Sequence, residues 1–147
     1  MIINNKEEYR IRYNTLSEMQ IITHLQETGI VMDEKTLLEY VRKVMAFAQL
    51  TELWKTRKLI GLCACYMNDY KSLTAYITHI DISNELRHKG LGEVLISQVE
   101  ICAKEKGFKN VELEVLKMNT IACGFYQKMG YTLKEDRGEK MLMHKNL

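Results

Sequence analysis

The sequence predicts one mixed α/β domain built around a sheet, and three observations carry that reading. Segments with a period of two alternate along the chain with segments of period near 3.6. The stretch 75–115 reads strand–helix–strand, so its two strands can lie parallel through a right-handed crossover. Two further strand pairs are separated only by short charged turns, the mark of antiparallel hairpins. The chain has 147 residues, 46% of them hydrophobic and 27% charged. That is one domain length with ordinary globular composition, so a single domain over 1–147 is expected, with enough apolar surface for a core.

Residues 9–13 (YRIRY) alternate as a short strand. From Thr15 the pattern turns helical, with Leu16, Met19, Ile22 and Leu25 at spacings of three and Gly29 to end it. A second helix runs from a capping Asp33 to Ala46, its inner face given to Leu37, Leu38, Val41, Val44 and Met45. Strands at 47–55 and 59–67 meet across a charged turn at 56–58 as a hairpin. The next strand, 73–83, sets Ile80 and Ile82 on one face and Ile77, His79 and Asp81 on the other. A strong helix over 90–106 carries Leu91, Val94, Leu95, Val99 and Cys102 as its stripe, before Gly107. Val111 to Val115 is a strand within 109–117, 119–129 is helical, and 131–135 with 140–144 forms a closing hairpin. The order is β-α-α-β-β-β-α-β-α-β-β, and turns fall to Gly, Asn, Asp and charged residues because proline is absent.

Composition excludes some functions. Lys plus Arg number 21 against 19 Asp plus Glu, a formal charge of +2. That is too balanced for a protein whose work is wrapping nucleic acid. Cys63, Cys65, Cys102 and Cys123 contain no C-x-x-C, and Cys63 and Cys65, two apart, would share a strand face as buried reduced thiols. Reduced thiols, a start without a signal-peptide pattern and no run of about 18 apolar residues lead to the expectation of a cytoplasmic protein off the membrane. No metal-ligand spacing occurs, so no metal is expected.

The sharpest local feature is Arg87-His88-Lys89-Gly90-Leu91-Gly92, between a strand and a strong helix. Two glycines allow close backbone approach, and a helix start points free N–H groups outward with its positive dipole end. Three cations add charge beside it. A diphosphate is the natural guest, while the plain alternative is a turn with surface cations. Neither the P-loop pattern nor the dinucleotide-binding glycine pattern is met, the latter because Leu95 stands where Gly or Ala is needed.

This run resembles the acetyl-CoA loop of the GCN5-related N-acetyltransferase (GNAT) family, [RQ]-x-x-G-x-[GA], read as Arg87-x-x-Gly90-x-Gly92. Asn119-x-x-Ala122-x-x-x-Tyr126-x-x-x-Gly130-Tyr131 resembles the family's second signature. Leu59-Ile-Gly61 and Val111-x-Leu113-x-Val115 sit where its third and fifth strands would be, so the likeness spans nearly the whole chain. The resemblance implies the acyl-CoA N-acyltransferase fold and acetyl transfer from acetyl-CoA to a primary amine by direct attack. It implies a splay between the strands 73–83 and 109–117 that admits the pantetheine arm beside Ile80 and Ile82. The pyrophosphate would rest on Arg87, His88, Lys89, Gly90, Leu91 and Gly92. Asn119 would contact the pantetheine, and Tyr126 would be the general acid for the leaving thiolate, or else a half-buried aromatic.

Two departures matter. Asn84 replaces a frequent Pro, and Thr78 stands where many members carry a basic Glu. His79 and Asp81 share a strand face and are a candidate base pair for proton removal through water, or a hydrogen-bonded pair without that role. Glu112 and Glu114 read as a solvent face, and Trp54 as core in preference to a cleft wall. Helices within 15–46 would cap the acceptor site; they hold Glu18, Gln20, His24, Gln26, Glu27, Asp33, Glu34 and Glu39, and the acids among these lean towards a cationic small amine. The contrasting readings are a non-catalytic CoA-sensing or protein-interaction domain on the same fold, and a homodimer through the C-terminal hairpin.

Overall fold

The computed structural model describes residues 8–87 and 89–147. Among the described residues, seven strands form one mixed sheet in the order β1-β2-β3-β4-β5-β7-β6. Their ranges are β1 Tyr9–Tyr13, β2 Ala48–Lys55, β3 Lys58–Asp69, β4 Thr74–Ile82, β5 Asn110–Leu116, β6 Thr132–Arg137 and β7 Lys140–Asn146. The helices are α1 Glu18–Glu27, α2 Glu34–Phe47, α3 Leu91–Glu105 and α4 Thr120–Lys128. Element order agrees with the sequence pattern throughout. β4 and β5 are parallel as the crossover requires, and every other pairing is antiparallel.

Local chemistry starts the helices. Ser17 and Gln20 exchange side-chain-to-backbone bonds as a capping box on α1, and Asp33 accepts from the Thr36 amide to cap α2. Phe47, expected in β2, is the last residue of α2. Alternation along β3 then divides the core between two faces. Leu62 and Ala64 pack with Ile21, Leu25, Leu37, Val41 and Val44 of α1 and α2. Cys63 and Cys65 pack with Leu95, Ile96, Val99 and Ala103 of α3 and with Cys123 of α4. Each fully buried Leu or Ile contributes roughly 1.5–3 kcal/mol, so these two layers hold the helices to the sheet.

Three inner stripes shift from the sequence expectation. In α1 the buried residues are Ile21, His24 and Leu25, while Met19 is 67% exposed and Ile22 only half-buried. Spacing by threes alone selects a stripe that drifts around the helix, whereas i, i+3, i+4 follows the real face. Met45 of α2 is likewise exposed, and α3 buries Ile96 and Ala103 beside its expected stripe. Cys63 and Cys65 do share one buried face. Burial pushes the Cys65 thiol up to about 12 and the Cys63 thiol also upward, so both are inert neutral groups.

β4 departs from simple alternation. Ala64 pairs with His79 but Cys65 pairs with Ile77, which leaves Thr78 as an extra residue in β4. Ile77 therefore lies with Ile80 and Ile82 on the α3–α4 side instead of with His79 and Asp81. The bulge supplies the physical reason: one inserted residue reverses the parity of everything beyond it.

Two polar groups are buried with their partners. Glu52, fully buried on β2, accepts from the Thr15 amide at 2.7 Å and from the Trp54 indole at 3.0 Å. Trp54 packs on the α1–α2 core, as the sequence reading favoured. Glu100 of α3 accepts from Tyr131 at 2.8 Å and from Lys145 at 2.9 Å, which ties α3 to β7. Gly61 of β3 has no room for a side chain: a Cβ there would lie 2.7 Å from Ile82 Cδ1 and 3.1 Å from the Asp81 carbonyl oxygen. Gly61→Val should cost about 1–3 kcal/mol through this overpacking. A lower urea midpoint with an unchanged slope is the expected result; a midpoint equal to wild type contradicts it.

Candidate active site

The site is built by what β4 stops doing. β4 and β5 pair only over Thr74↔Asn110 to Ile77↔Leu113, after which β5 continues against β7 alone. The segment 78–82 thus has β3 on one edge and, among the described residues, no strand on the other. Backbone groups on that free edge have hydrogen-bonding capacity that the sheet does not use. The parting falls at the Thr78 bulge, which adds local twist where the strands diverge.

At the outer end of this opening lies the glycine-bearing loop. Gly90 takes φ +76° and caps α3 with no side chain, so the first N–H groups of that helix are unclaimed by a cap. An L side chain would be strained in that conformation. At Gly92 a Cβ would lie 3.3 Å from the Phe125 ring, a tight contact, and 3.9 Å from Ile82 Cγ1, so the absent side chain eases the packing of α3 against α4. Arg87 and Lys89 are exposed beside it, and Arg87 Nε donates to the Ile82 carbonyl at 3.2 Å. Leu91 is buried as an anchor of the first turn. The one acid of that turn, Glu93, is drawn to Lys128 of α4 at 2.6 Å, which offsets its repulsion of an anion. His88, the remaining residue singled out in this loop, lies outside the described residues.

On the α3–α4 side, Asn119 caps α4 by accepting from the Ala122 amide at 3.1 Å, so its carboxamide oxygen is engaged while its NH2 group can still donate. Tyr126 is half-buried against the core, with ring contacts to Phe125 at 5.4 Å and Tyr131 at 5.9 Å. Burial, and then the thiols of Cys63 and Cys123, push its phenol well above the usual tyrosine value. The group is therefore a proton-bearing donor at every physiological pH.

On the α1–α2 side the sequence missed two partners. His79 and Asp81 do meet, Nε2 to Oδ2 at 2.5 Å, but His24 of α1 also reaches Asp81, Nε2 to Oδ1 at 2.7 Å. Burial raises the Asp81 carboxyl, yet the hydrogen bonds from His24 and His79 outweigh it and hold the group below the ordinary range. Thr78 meets the Tyr40 hydroxyl of α2 at 3.0 Å. The signal for His24 was its place three residues after Ile21 and one before Leu25, on the buried face; Tyr40 had no comparable signal. Glu112 and Glu114 are not simply solvated. Glu112 pairs with Lys134, while Glu114 accepts from Tyr76 at 3.2 Å and from Arg137 at 3.3 Å. Burial and Glu114 push the Tyr76 phenol up to about 12. Among the described residues no group of His, Cys, Asp and Glu is arranged to hold a metal ion.

The profile of the acetyltransferase (GNAT) family matches residues 15–131, and the chain belongs to that family. It is 37% identical over 79 residues to the uncharacterized protein YyaT of Bacillus subtilis, covering 50% of this chain and 51% of that one. It is 28% identical over 71 residues to a spermidine N(1)-acetyltransferase of Thermoplasma acidophilum, covering 48% and 44%. The chain spans about half the length of these relatives. A crystal structure of the PaiA N-acetyltransferase of Thermoplasma acidophilum in complex with coenzyme A superposes with a TM-score of 0.72 at 18% identity, over 94% of this chain and 99% of that one.

The neutral state of Tyr126 is directly checkable. Tyr126→Phe should leave the tyrosinate absorbance of the folded protein unchanged up to about pH 10, where ordinary tyrosines ionise. A loss of signal in that range would show that the phenol is not shifted.

Proposed function

We propose that the protein is an N-acetyltransferase that moves an acetyl group from acetyl-CoA to a primary amine within a ternary complex. The observation that carries this is the unpaired edge of β4 at 78–82, which runs towards the uncapped start of α3. An extended polyamide arm can hydrogen-bond to a free strand edge, and a diphosphate suits a helix N-terminus flanked by cations. Leu91, Gly90 and Gly92 shape that cradle, Arg87, His88 and Lys89 supply charge, and Ile80 and Ile82 line the arm's path with Asn119 donating from the far side. When bound, acetyl-CoA supplies the activated thioester carbonyl.

The residues of this chain then do three things. The cleft holds amine and thioester in line, so orientation replaces a covalent nucleophile. Tyr126 donates its phenolic hydrogen towards the departing sulfur, on the α3–α4 side. His79, backed by Asp81, accepts the proton that the ammonium must shed, from the α1–α2 side. Thr78 and Tyr40 carry neutral hydroxyls at the bulge, and a neutral hydroxyl cannot do this work at pH 7. A small cationic amine is the acceptor class we favour, in line with the spermidine-acetylating relative.

Acetyl-CoA at 100 times its dissociation constant should stabilise the protein by roughly 2.7 kcal/mol, visible as a raised melting temperature that ATP does not give. Tyr126→Phe should lower kcat about 10²–10⁴-fold in a thiol-release assay across an amine panel, while acetyl-CoA affinity stays within about threefold. Stabilisation without turnover on any amine would favour a CoA-sensing role, and no stabilisation would contradict the reading altogether.

A further inference from the structure

We propose that the acceptor is a diamine or longer polyamine, and that Tyr66, Tyr76 and Glu112 hold its second ammonium one short step along the sheet from His79. This rests on the acetyl-transfer reading above.

A cleft of about 440 Å³ lies on the α1–α2 side of the sheet, walled by Tyr66, Asp69, Thr74, Tyr76, Glu112 and Lys134. The helices leave it open: among the described residues, the core under α1 and α2 takes its buried strand residues from β2 and β3 alone. Register sets three of the walls in one row. Tyr66 of β3 pairs with Tyr76 of β4, and Tyr76 pairs with Glu112 of β5. His79 pairs with Ala64, two residues before Tyr66. Because Thr78 is an extra residue, Tyr76 and His79 share a sheet face although they are three apart. Strand residues two apart are separated by about 7 Å, so the row lies that far from the group that takes the amine's proton.

The chemistry of the row selects an ammonium. Asp69 is engaged by the turn that follows it, accepting from the Lys71 and Ser72 amides, which leaves Glu112 as the anion of the row. Glu114, to which Tyr76 donates, is matched by Arg137. A tyrosine ring takes a cation on its face. Two ammonium groups of the chain itself already use these walls: Lys134 pairs with Glu112, and Lys43 of α2 sets Nζ 5.6 Å from the centre of the Tyr66 ring.

The members of the Glu112–Lys134 pair are unequal. Glu112 stands on β5, inside the sheet, with its side chain 15% exposed, so it is a fixed anion that needs a cation beside it. Lys134 is 49% exposed, at a register shift in the edge strand β6 between Leu133 and Glu135. A long exposed side chain is held only weakly by such a pair. Lys134 is therefore the replaceable partner, and the ligand's second ammonium takes its place. An extended chain advances about 1.2 Å per bond, so about 7 Å is roughly six bonds, the nitrogen spacing of 1,5-diaminopentane. A longer polyamine continues past the row towards Asp69 and Thr74, which pair two residues further along β4.

The test compares 1,5-diaminopentane with 1-aminopentane, which differ only in the second ammonium, in a thiol-release assay of the full chain with acetyl-CoA. Wild type should prefer the diamine in kcat/KM by about tenfold or more. Glu112→Gln should lower that preference about tenfold, through KM, and Lys134→Gln should raise it about threefold. A pair that only ties β5 to β6 would lower the melting temperature in both variants and move the preference in neither. An unchanged preference in Glu112→Gln, or a lowered one in Lys134→Gln, overturns the proposal. Binding is read apart from turnover: 1,5-diaminopentane without acetyl-CoA should shift the backbone amide resonances of Tyr66, Tyr76 and Glu112, and no shift there in wild type also overturns it. If Glu112→Gln does not fold, the wild-type shifts and Lys134→Gln decide. Shifts at this row with no acetyl transfer to any amine would instead overturn the transferase reading and leave the row as a binding site for diamines.

Discussion

The free edge of β4 is the constraint on which the rest of the molecule depends. Four residue pairs join β4 to β5, and beyond Ile77↔Leu113 the two strands have separate partners. Leaving backbone N–H and C=O groups unpaired in the middle of a sheet costs stability unless water or a ligand claims them. The molecule accepts that cost at the centre of a seven-stranded sheet, where every other neighbour is paired. The Thr78 bulge sits at the branch point and turns Ile77 to one face and His79 to the other. Close packing then fixes the opening: Gly61 lets β3 lie against Ile82, and Gly92 eases the packing of α3 against Phe125.

The two faces of the sheet hold proton-handling groups of different character. Tyr126, on the α3–α4 side, is raised by burial and stays a neutral donor. Asp81, on the α1–α2 side, is held as an anion because two imidazoles outweigh its burial. A donor and an acceptor on opposite sides of one opening suit a reaction that adds a proton to one partner and removes one from the other. Long-range packing aligns them: Tyr126 rests on Tyr131, which Glu100 and Lys145 anchor, while His24 arrives from a helix capped by Ser17 and Gln20.

Much of this was legible in the sequence, because it depends on local rules. Period-two and period-3.6 patterning gave the element order, Gly92 marked a close approach and Gly90 a left-handed turn with open space around it, and the i, i+2 spacing of His79 and Asp81 placed them together. What escaped the reading depends on contacts between distant segments. The bulge at Thr78 has no proline or glycine to announce it, and it reversed the expected face of Ile77. His24 and Asp81 are 57 residues apart, and Tyr40 and Thr78 are 38 apart. Met19 fell on the wrong face because spacing by threes mimics a stripe that the packed helix does not bury. Glu52 looks like a surface strand residue until Thr15 and Trp54 are brought to it.

Backbone hydrogen exchange with and without acetyl-CoA tests the central claim most directly. If the free edge of β4 and the start of α3 hold the cosubstrate, the amides of 78–82 that face β5 and those of 91–93 should slow together on binding, because their N–H groups gain partners. Slowing confined to other parts of the chain, with both of these segments unchanged, would contradict the account.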